Sequence, residues 1–175
     1  MADAASDPVP ERAVIIGIMP DQPPRVLKEA ARYAKLFGAP LILAHVDVTR
    51  FVTYEDPDGY VHSAPIDIDI ATGEAQLRLV KDAAVSVLGE PGSAGVDWTV
   101  RQLVGDPALA IKHLAEQSQA RLIVVGTRRR GFGESVREFF TGSVAARLAH
   151  RQSRPVLVVP LEDPIGDDEP LWPEA

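Results

Sequence analysis

Hydrophobic residues in this chain fall into short continuous runs, separated by stretches in which apolar positions recur every three or four residues. Four of the runs are rich in β-branched side chains, which is the pattern of strands buried on both faces of a sheet. A fifth segment differs because Val96, Trp98 and Val100 alternate with polar residues, which predicts a half-exposed strand near a sheet edge. The four continuous runs span residues 13–18, 41–46, 122–125 and 155–159.

The stretches between these runs predict helices, and several are bounded by residues that suit a helix end. Gly38 and Gly89 follow two of them and favour the left-handed conformation that ends a helix. Asp106 can cap a third helix, with Pro107 in its first position, and a short helix is expected near 134–140. The apolar helical positions are Leu27, Ala30, Ala31 and Ala34; Leu77, Val80, Ala84 and Val87; Ala108, Ile111, Leu114 and Ala115; and Val144, Ala145 and Leu148.

Strands that alternate with helices predict an α/β fold, with an open five-stranded parallel sheet and helices on both of its faces. Ligands of such sheets bind beyond the carboxyl ends of the strands, where the strand order reverses. The loop after Val125 is the richest in glycine and arginine, so we expect it to lie at that reversal. Residues 49–70 are predicted to be a long connection, with a turn at 56–59 and an extended lead into the next helix at 66–70.

Charge is distributed unevenly along the chain, whose net charge is −7. Residues 161–175 hold six acidic residues and no basic one, and without them 18 basic residues face 19 acidic ones. Residues 121–154 hold eight arginines against two glutamates, a local excess that suits a small anion. The acidic balance of the whole argues against general nucleic-acid binding. We therefore predict a disordered leader (1–11), one domain (12–160) and an acidic, disordered tail (161–175).

Cysteine is absent from the 175 residues, which excludes a disulfide framework, a thiolate zinc site and a cysteine nucleophile. The first eleven residues lack the basic and apolar regions of a signal peptide. No apolar run approaches the roughly 20 residues that span a bilayer. These features predict a cytoplasmic protein without a membrane partner.

Two glycine-containing segments after the 122–125 strand predict a phosphate-binding site. Gly126 and Gly131 lack a Cβ, so their backbone N–H groups can approach an anion closely. Gly142 and Ser143 lie where a helix begins, and the unpaired N–H groups of a helix start attract anions. Arginines 128–130 add charge and forked donors that match phosphate. Each feature also has a structural alternative, as turn glycines, a helix cap or a solvated charged face.

These segments resemble the universal stress protein family, whose nucleotide-binding members carry Gly-x-x-Gly, nine further residues, and then Gly-Ser or Gly-Thr. The resemblance covers residues 12–160 and implies a Rossmann-like fold of the adenine nucleotide α-hydrolase type, with ATP held between the first and fourth strands. The matching stretches are Val124-Val-Gly-Thr-Arg128, Thr141-Gly-Ser-Val144, Arg154-Pro-Val-Leu-Val-Val159, Leu43-Ala-His-Val46 and Gly105-Asp-Pro-Ala108.

The resemblance also implies which residues hold the nucleotide, ATP or AMP, with Mg²⁺ as a candidate companion of ATP. The ribose and base would lie at the end of the first strand, the adenine against the backbone of the second, and the phosphates in the two glycine segments. The implied set is Gly17, Ile18, Met19, Val46, Gly126, Thr127, Arg128, Arg129, Gly131, Gly142, Ser143 and Val144.

The chain departs from the family pattern at two positions of this set. Arg129 stands where the family has its second glycine, and twelve residues rather than nine separate it from Gly142. Its side chain can either block a phosphate or pair with one. Met19 stands where ATP-binding members carry an aspartate, and Asp21 follows two residues later.

Other nucleotide and catalytic motifs are missing from the sequence. Gly131 is followed by Phe132 rather than by Lys-Ser or Lys-Thr, so the loop is not a Walker motif. His45 lies in a predicted buried strand, where a structural role is expected, and Arg147 is predicted to suit a helix C-terminus. No catalytic residue and no metal ligand is assigned. The leading hypothesis is a nucleotide-binding regulator in stress response; a dimeric interaction module with a degenerate ATP site and a slow ATP hydrolase are the alternatives.

The last predicted strand, 155–159, also suggests how the protein assembles. It is short and apolar and carries no lysine or charge to discourage pairing with another strand edge. The resemblance implies the same, because family members commonly dimerise through their last strands across a two-fold axis. We therefore predict a homodimer through Pro155–Val159, and a monomer or an insoluble protein for Leu157→Lys.

Overall fold

A five-stranded parallel sheet forms the centre of the chain in the computed structural model, which describes residues 8–48, 50–55, 61–65, 70–93, 95–127 and 144–161. In chain order the elements are β1 (Val14–Gly17), α1 (Pro24–Phe37), β2 (Leu41–Asp47), β3 (Arg50–Glu55), β4 (Val61–Pro65), α2 (Ile70–Leu88), β5 (Trp98–Val104), α3 (Pro107–Gln117), β6 (Leu122–Gly126), α4 (Val144–Arg151) and β7 (Val156–Val159).

The strand order of the main sheet is β5-β2-β1-β6-β7, and every neighbouring pair is parallel. β1 lies in the middle, with Gly17 in register with Ala44 of β2 and Ile16 in register with Val124 of β6. The chain builds outward from β1 in one direction and then in the other, so the order reverses between β1 and β6. The predicted fold class is confirmed, and the end of β6 lies at the predicted reversal.

Helices cover both faces of the sheet, and each face has its own hydrophobic core. On one face, α1 and α2 bury Val26, Val80 and Ala84 against Ile16 and Leu43. The other core is formed by α3 and α4 against the opposite side of the same strands, with Ile15, Ile42, Ile111, Ile123 and Leu148 buried. Successive strand residues therefore point into two different cores, which is why the strands read as continuous apolar runs.

Helix ends follow the residues that the sequence analysis identified. Gly38 adopts a left-handed conformation (φ 57°) after α1, and its N–H donates to Lys35 O over 3.1 Å. The Gly89 N–H donates to Val85 O over 2.9 Å at the end of α2. The Asp106 carboxylate accepts from the Leu109 N–H over 2.9 Å and caps α3. Among the helices that the structure describes, none combines the length and apolar character needed to cross a membrane.

The connection predicted for 49–70 is wrong in one respect, because it contains strands. β3 and β4 pair antiparallel as a separate two-stranded sheet, and α2 begins at Ile70. The predicted turn at 56–59 and helix near 134–140 lie outside the described residues.

Two further predictions concern the sheet edge and the leader. β5 is an edge strand, as predicted, and Trp98 is 6% exposed with its Nε1–H donating to Gly89 O over 3.0 Å. The leader is described from Pro8 onward, and this part packs on the domain. Pro8 O accepts a hydrogen bond from Arg101, and Val9 contacts the core beneath α3.

The start of α2 is fixed to the sheet by a close approach at Gly73. Asp47, at the end of β2, is buried, and a Cβ placed on Gly73 would lie 2.7 Å from its Oδ2. The same Cβ would lie 3.6 Å from Nε2 of Gln102 on β5. Packing therefore favours glycine at this position in the first turn of α2, although glycine is a poor helix former.

We expect Gly73→Ala to lower the free energy of unfolding by about 1–2 kcal/mol. Overpacking against the Asp47 carboxylate costs about 1–3 kcal/mol, and the better helix propensity of alanine offsets up to about 1 kcal/mol. Urea denaturation followed by circular dichroism measures the change. The control is Glu74→Ala, which removes only the exposed contact with Arg78. Equal stability of Gly73→Ala and wild type would show that the Asp47 side chain can move away from the new methyl group without a cost in free energy.

Candidate functional site

The end of β1 presents Met19 at the carboxyl edge of the sheet. The Ile18 N–H donates to Ala44 O over 3.0 Å, so Ile18 continues the pairing of β1 with β2, and its side chain is buried. Met19 is 60% exposed, and its N–H donates to Oε1 of Gln22 over 3.0 Å. Of the three site residues predicted on this strand, Met19 is the one whose side chain meets solvent.

Gly17 allows a helix to approach rather than leaving an opening. A Cβ at this position would lie 3.0 Å from Cδ1 of Ile111 on α3 and 3.4 Å from Cγ1 of Val125. The missing side chain is therefore accounted for by the core beneath α3. Its backbone still lies at the strand end, where the sequence analysis expected the ribose.

Val46 extends β2 past the end of β1. Hydrogen bonds of a parallel strand go to alternate neighbours at alternate residues, and Ala44 O bonds toward β1. Two residues later, the backbone groups of Val46 have the same orientation but lie beyond Gly17, the last residue of β1. The N–H and C=O of Val46 thus face the crevice at the strand ends, a geometry suited to the polar edge of a planar base.

His45 neighbours this crevice but serves the sheet. It is 3% exposed, and its Nδ1 lies 3.2 Å from Ile18 O. Its Nε2 is buried and has no hydrogen-bond partner within the described residues. The structural role predicted for His45 agrees with the contact to Ile18, which holds the end of β1 against β2.

The end of β6 faces the end of β1 across the strand reversal. A Cβ at Gly126 would lie 2.7 Å from Cδ2 of Leu161 and 2.8 Å from Nε2 of Gln22. The Gln22 carboxamide therefore bridges the two strand ends, with Oε1 on the Met19 N–H and Nε2 over Gly126. The ends of β1 and β6 thus lie side by side at the strand reversal, and the space next to the Gly126 backbone is filled by the Gln22 and Leu161 side chains.

Thr127 ties the end of β6 to the residues that follow β7. Its N–H donates to Val159 O over 2.9 Å, and its Oγ1 accepts from the Leu161 N–H over 2.9 Å. Because Oγ1 accepts this bond, its own O–H is left as a donor for another group. The hydroxyl stands next to Gly126, where a phosphate oxygen can accept from it.

An ion pair links α3 to α4 near this edge. Arg147 donates from Nη1 to Oδ2 of Asp106 over 2.6 Å and from Nη2 to Oδ1 over 2.8 Å, a two-point contact. Partial burial raises the pKa of the Asp106 carboxyl, but hydrogen bonds from Arg147 and the Leu109 N–H outweigh it and hold that pKa below its ordinary value. The pair fixes α4, whose first residue, Val144, packs on the core beneath α3.

Several predicted phosphate-site residues cannot be placed by this geometry. Five members of the predicted set lie outside the described residues: Arg128, Arg129, Gly131, Gly142 and Ser143. The described members flank them on both sides, from Gly126 and Thr127 to Val144. No group of three or more histidine, aspartate or glutamate side chains that could hold a metal ion occurs in the described part of the chain.

Comparison with known proteins identifies the family. A sequence model described as the universal stress protein family matches residues 12–160. The chain belongs to the universal stress protein family. The match runs from two residues before β1 to the residue directly after β7. A search of curated protein sequences found no significant match.

Solved structures of other universal stress proteins share the fold. One, solved in complex with cAMP, is 25% identical, with 87% of this chain and 99% of that chain covered and a TM-score of 0.56. A universal stress protein from Archaeoglobus fulgidus in complex with dAMP is 21% identical, covering 84% and 96%, with a TM-score of 0.52. A family member from Burkholderia pseudomallei is 23% identical, covering 85% and 96%, with a TM-score of 0.55.

Three residues of this universal stress protein matter at the site although sequence reasoning did not assign them there. Gln22 lies in a turn between prolines, and no pattern in the sequence shows that it bridges to Gly126. The sequence pattern places Leu161 in the acidic tail. Arg147 was expected to serve the C-terminus of its own helix but instead pairs with the cap of another. Each contact joins residues far apart in sequence, which local patterns do not show.

The pair between Asp106 and Arg147 predicts a specific pH dependence of stability. Because the folded-state pKa is depressed, its contribution is complete above the ordinary aspartate pKa of about 3.9 and is lost as the pH falls through the lower folded value. Asp106→Asn keeps a capping oxygen but loses the charge. We expect the variant to be less stable by about 1–2 kcal/mol at neutral pH, with the difference shrinking below about pH 4.

Urea denaturation from neutral pH to about pH 3 measures both curves. Glu116→Gln is the control, because it removes the same negative charge from a residue of α3 near the surface. Oε1 of Glu116 lies 3.2 Å from Nζ of Lys112. Parallel curves for wild type and Asp106→Asn would contradict an ionic role for Asp106.

Proposed function

We propose that this universal stress protein binds an adenine nucleotide in the crevice at the carboxyl ends of β1, β2 and β6. The observation that carries the proposal is the strand reversal, which brings Met19, Val46 and Gly126 to one edge around one crevice. Gly126 lies at the end of β6, and a glycine lets a phosphate approach the backbone closely once the Gln22 and Leu161 side chains have moved aside. The relative solved with cAMP supports an adenine nucleotide as the ligand.

Each part of the nucleotide then has a candidate partner. The adenine edge pairs with the backbone N–H and C=O of Val46, and the ribose lies beside Met19. The phosphate accepts from the Gly126 backbone and from the Thr127 hydroxyl. The segment that contains Gly142 and Ser143 adds helix-start N–H groups, because α4 begins directly after it. Arginines 128–130 follow Thr127 directly in the sequence and add positive charge next to it.

The choice of nucleotide belongs to the proposal as well. AMP needs one phosphate position, whereas ATP with Mg²⁺ needs room beyond Gly126 along residues 128–143. Gln22 and Leu161 cover Gly126 at contact distance, so a phosphate placed there must move both side chains.

We propose a regulatory, cytoplasmic nucleotide-binding module in stress response. Mass spectrometry of small molecules released from purified protein tests this directly: an adenine nucleotide supports it, an empty protein supports the interaction module, and turnover of added ATP supports the hydrolase.

We expect Gly142→Asp to weaken AMP and ATP binding by on the order of tenfold or more, equivalent to about 1.4 kcal/mol. The change adds a Cβ and a negative charge where phosphate should meet the start of α4. Isothermal titration calorimetry measures the affinity. Ala149→Asp is the matched control, because it adds the same charge at an exposed position near the other end of α4. Equal affinity of wild type and a folded Gly142→Asp protein would refute this assignment.

We propose further that the protein forms a homodimer through β7. This strand is an edge of the main sheet, and Val158 is 43% exposed there. An edge strand presents unpaired backbone N–H and C=O groups that a second copy can pair across a two-fold axis. Leu157 packs against the core beneath α1, so a lysine at that position would disturb folding as well as assembly. Val158 is therefore the cleaner position for a test.

We expect wild type to be a dimer at tens of micromolar and Val158→Lys to be a folded monomer. The lysine charge would face its own copy and lose its hydration on both sides of the interface. Light scattering measures the mass, and circular dichroism confirms the fold. The control is Leu109→Lys, an exposed apolar residue on α3 away from the sheet edge. A monomeric wild type, or a dimeric Val158→Lys, would exclude assembly through this edge.

A further inference from the structure

A groove runs between α1 and α2, along the face of the sheet that these helices cover. It consists of two adjoining depressions of about 190 and 350 Å³ that share Val87. The first depression is lined by Met19, Gln22 and Leu27, among others, and so begins at the edge of the sheet where the strand ends meet. We call the whole feature the α1–α2 groove.

The second depression differs from the first in its charge. Its rim carries Lys28, Arg32 and Lys35, which recur at helical spacing on one side of α1. All three side chains are exposed, and Arg32 lies 3.4 Å from Glu29. Neither lysine forms an ion pair within the described residues. The floor between them and α2 is apolar and contains Ala31, Val87, Leu88 and Val96.

The chain that follows β7 starts at the Gln22 end of this groove. Leu161 packs against the core beneath α1, and its Cδ2 and the Gln22 Nε2 abut the same position over Gly126. Gln22 in turn lines the first depression. The residues after Leu161 therefore leave the domain on the face that carries the α1–α2 groove.

We propose that residues 162–175 of the same chain dock in the α1–α2 groove. This segment has the complementary chemistry, with six acidic residues, no basic one, and the apolar pair Leu171 and Trp172. Its carboxylates meet the lysine and arginine rim, and Leu171 and Trp172 cover the apolar floor. The domain without this segment is close to neutral, so the groove rim is a local positive surface facing a local negative segment.

The distances allow the segment to reach. The 14 residues of α1 span about 21 Å at 1.5 Å per residue. Leu171 follows Leu161 by ten residues, which extend to about 33 Å at roughly 3.3 Å per residue. Leu171 and Trp172 can therefore reach any part of the groove from the Gln22 end to Lys35. The extra length allows for turns at the prolines of the segment.

Trp172 provides the measurement, because the chain has two tryptophans and the other, Trp98, is buried. Subtracting the emission of Trp172→Phe from that of wild type isolates Trp172 without altering Trp98. We expect acrylamide to quench Trp172 in the full chain severalfold less than in a free peptide of residues 162–175. Lys28→Glu combined with Lys35→Glu should raise quenching to the peptide value, as should high salt, which screens the charges.

The control replaces Arg121 and Arg151 by glutamate, which changes net charge equally on exposed residues of the opposite face. In this control variant, Trp172 should stay as protected from acrylamide as it is in wild type. Circular dichroism checks that each variant folds, and Lys28→Gln with Lys35→Gln gives a milder pair if the glutamates disturb α1. Equal quenching in wild type and the groove variant, whether high or low, would overturn the proposal. Protection that rises with protein concentration would also overturn it, because the segment would then occupy a second copy.

Discussion

The pairing of β1 on both of its edges is the constraint on which the rest of the structure depends. β1 has only four residues, and the first three are fully buried between two cores. Because it pairs with β2 on one side and β6 on the other, the chain must build outward in two directions. In open parallel sheets, the strand ends on either side of such a reversal are where ligands bind. The position of the candidate site thus follows from sheet order before any side chain is considered.

The crevice is then shaped by contacts between loops that are distant in sequence. Gln22 spans from Met19 to Gly126, and Thr127 joins β6 to the residues after β7. The contact between Asp106 and Arg147 holds α4 to α3 from below. These few polar contacts fix the ends of the helices and strands. Apolar packing of the helices and strands does not by itself determine the positions of the loops that join them. A nucleotide phosphate bound beside Gly126 would therefore have to displace the side chains of Gln22 and Leu161.

Sequence patterns predicted the sheet and its helices well, because burial on two faces leaves continuous runs such as 122–125. The β3–β4 ribbon was missed, since it stands apart from the main sheet and lacks such a run. Strand order placed Val46 and Gly126 at the same edge, as expected. The roles of Gln22 and Leu161 could not be predicted, because they depend on contacts made across the fold. Asp106 was identified as a cap, but its charged partner lies 41 residues away.

Gly126 has a consequence for how the family's glycine signature should be interpreted. The space beside this residue is filled by the ends of the Leu161 and Gln22 side chains, so a side chain there would have to displace both even without a ligand. Packing within this chain is therefore a reason for glycine at this position that does not depend on a ligand. A glycine at this point is thus weaker evidence of ligand binding than a residue at the strand ends that has no such internal neighbour.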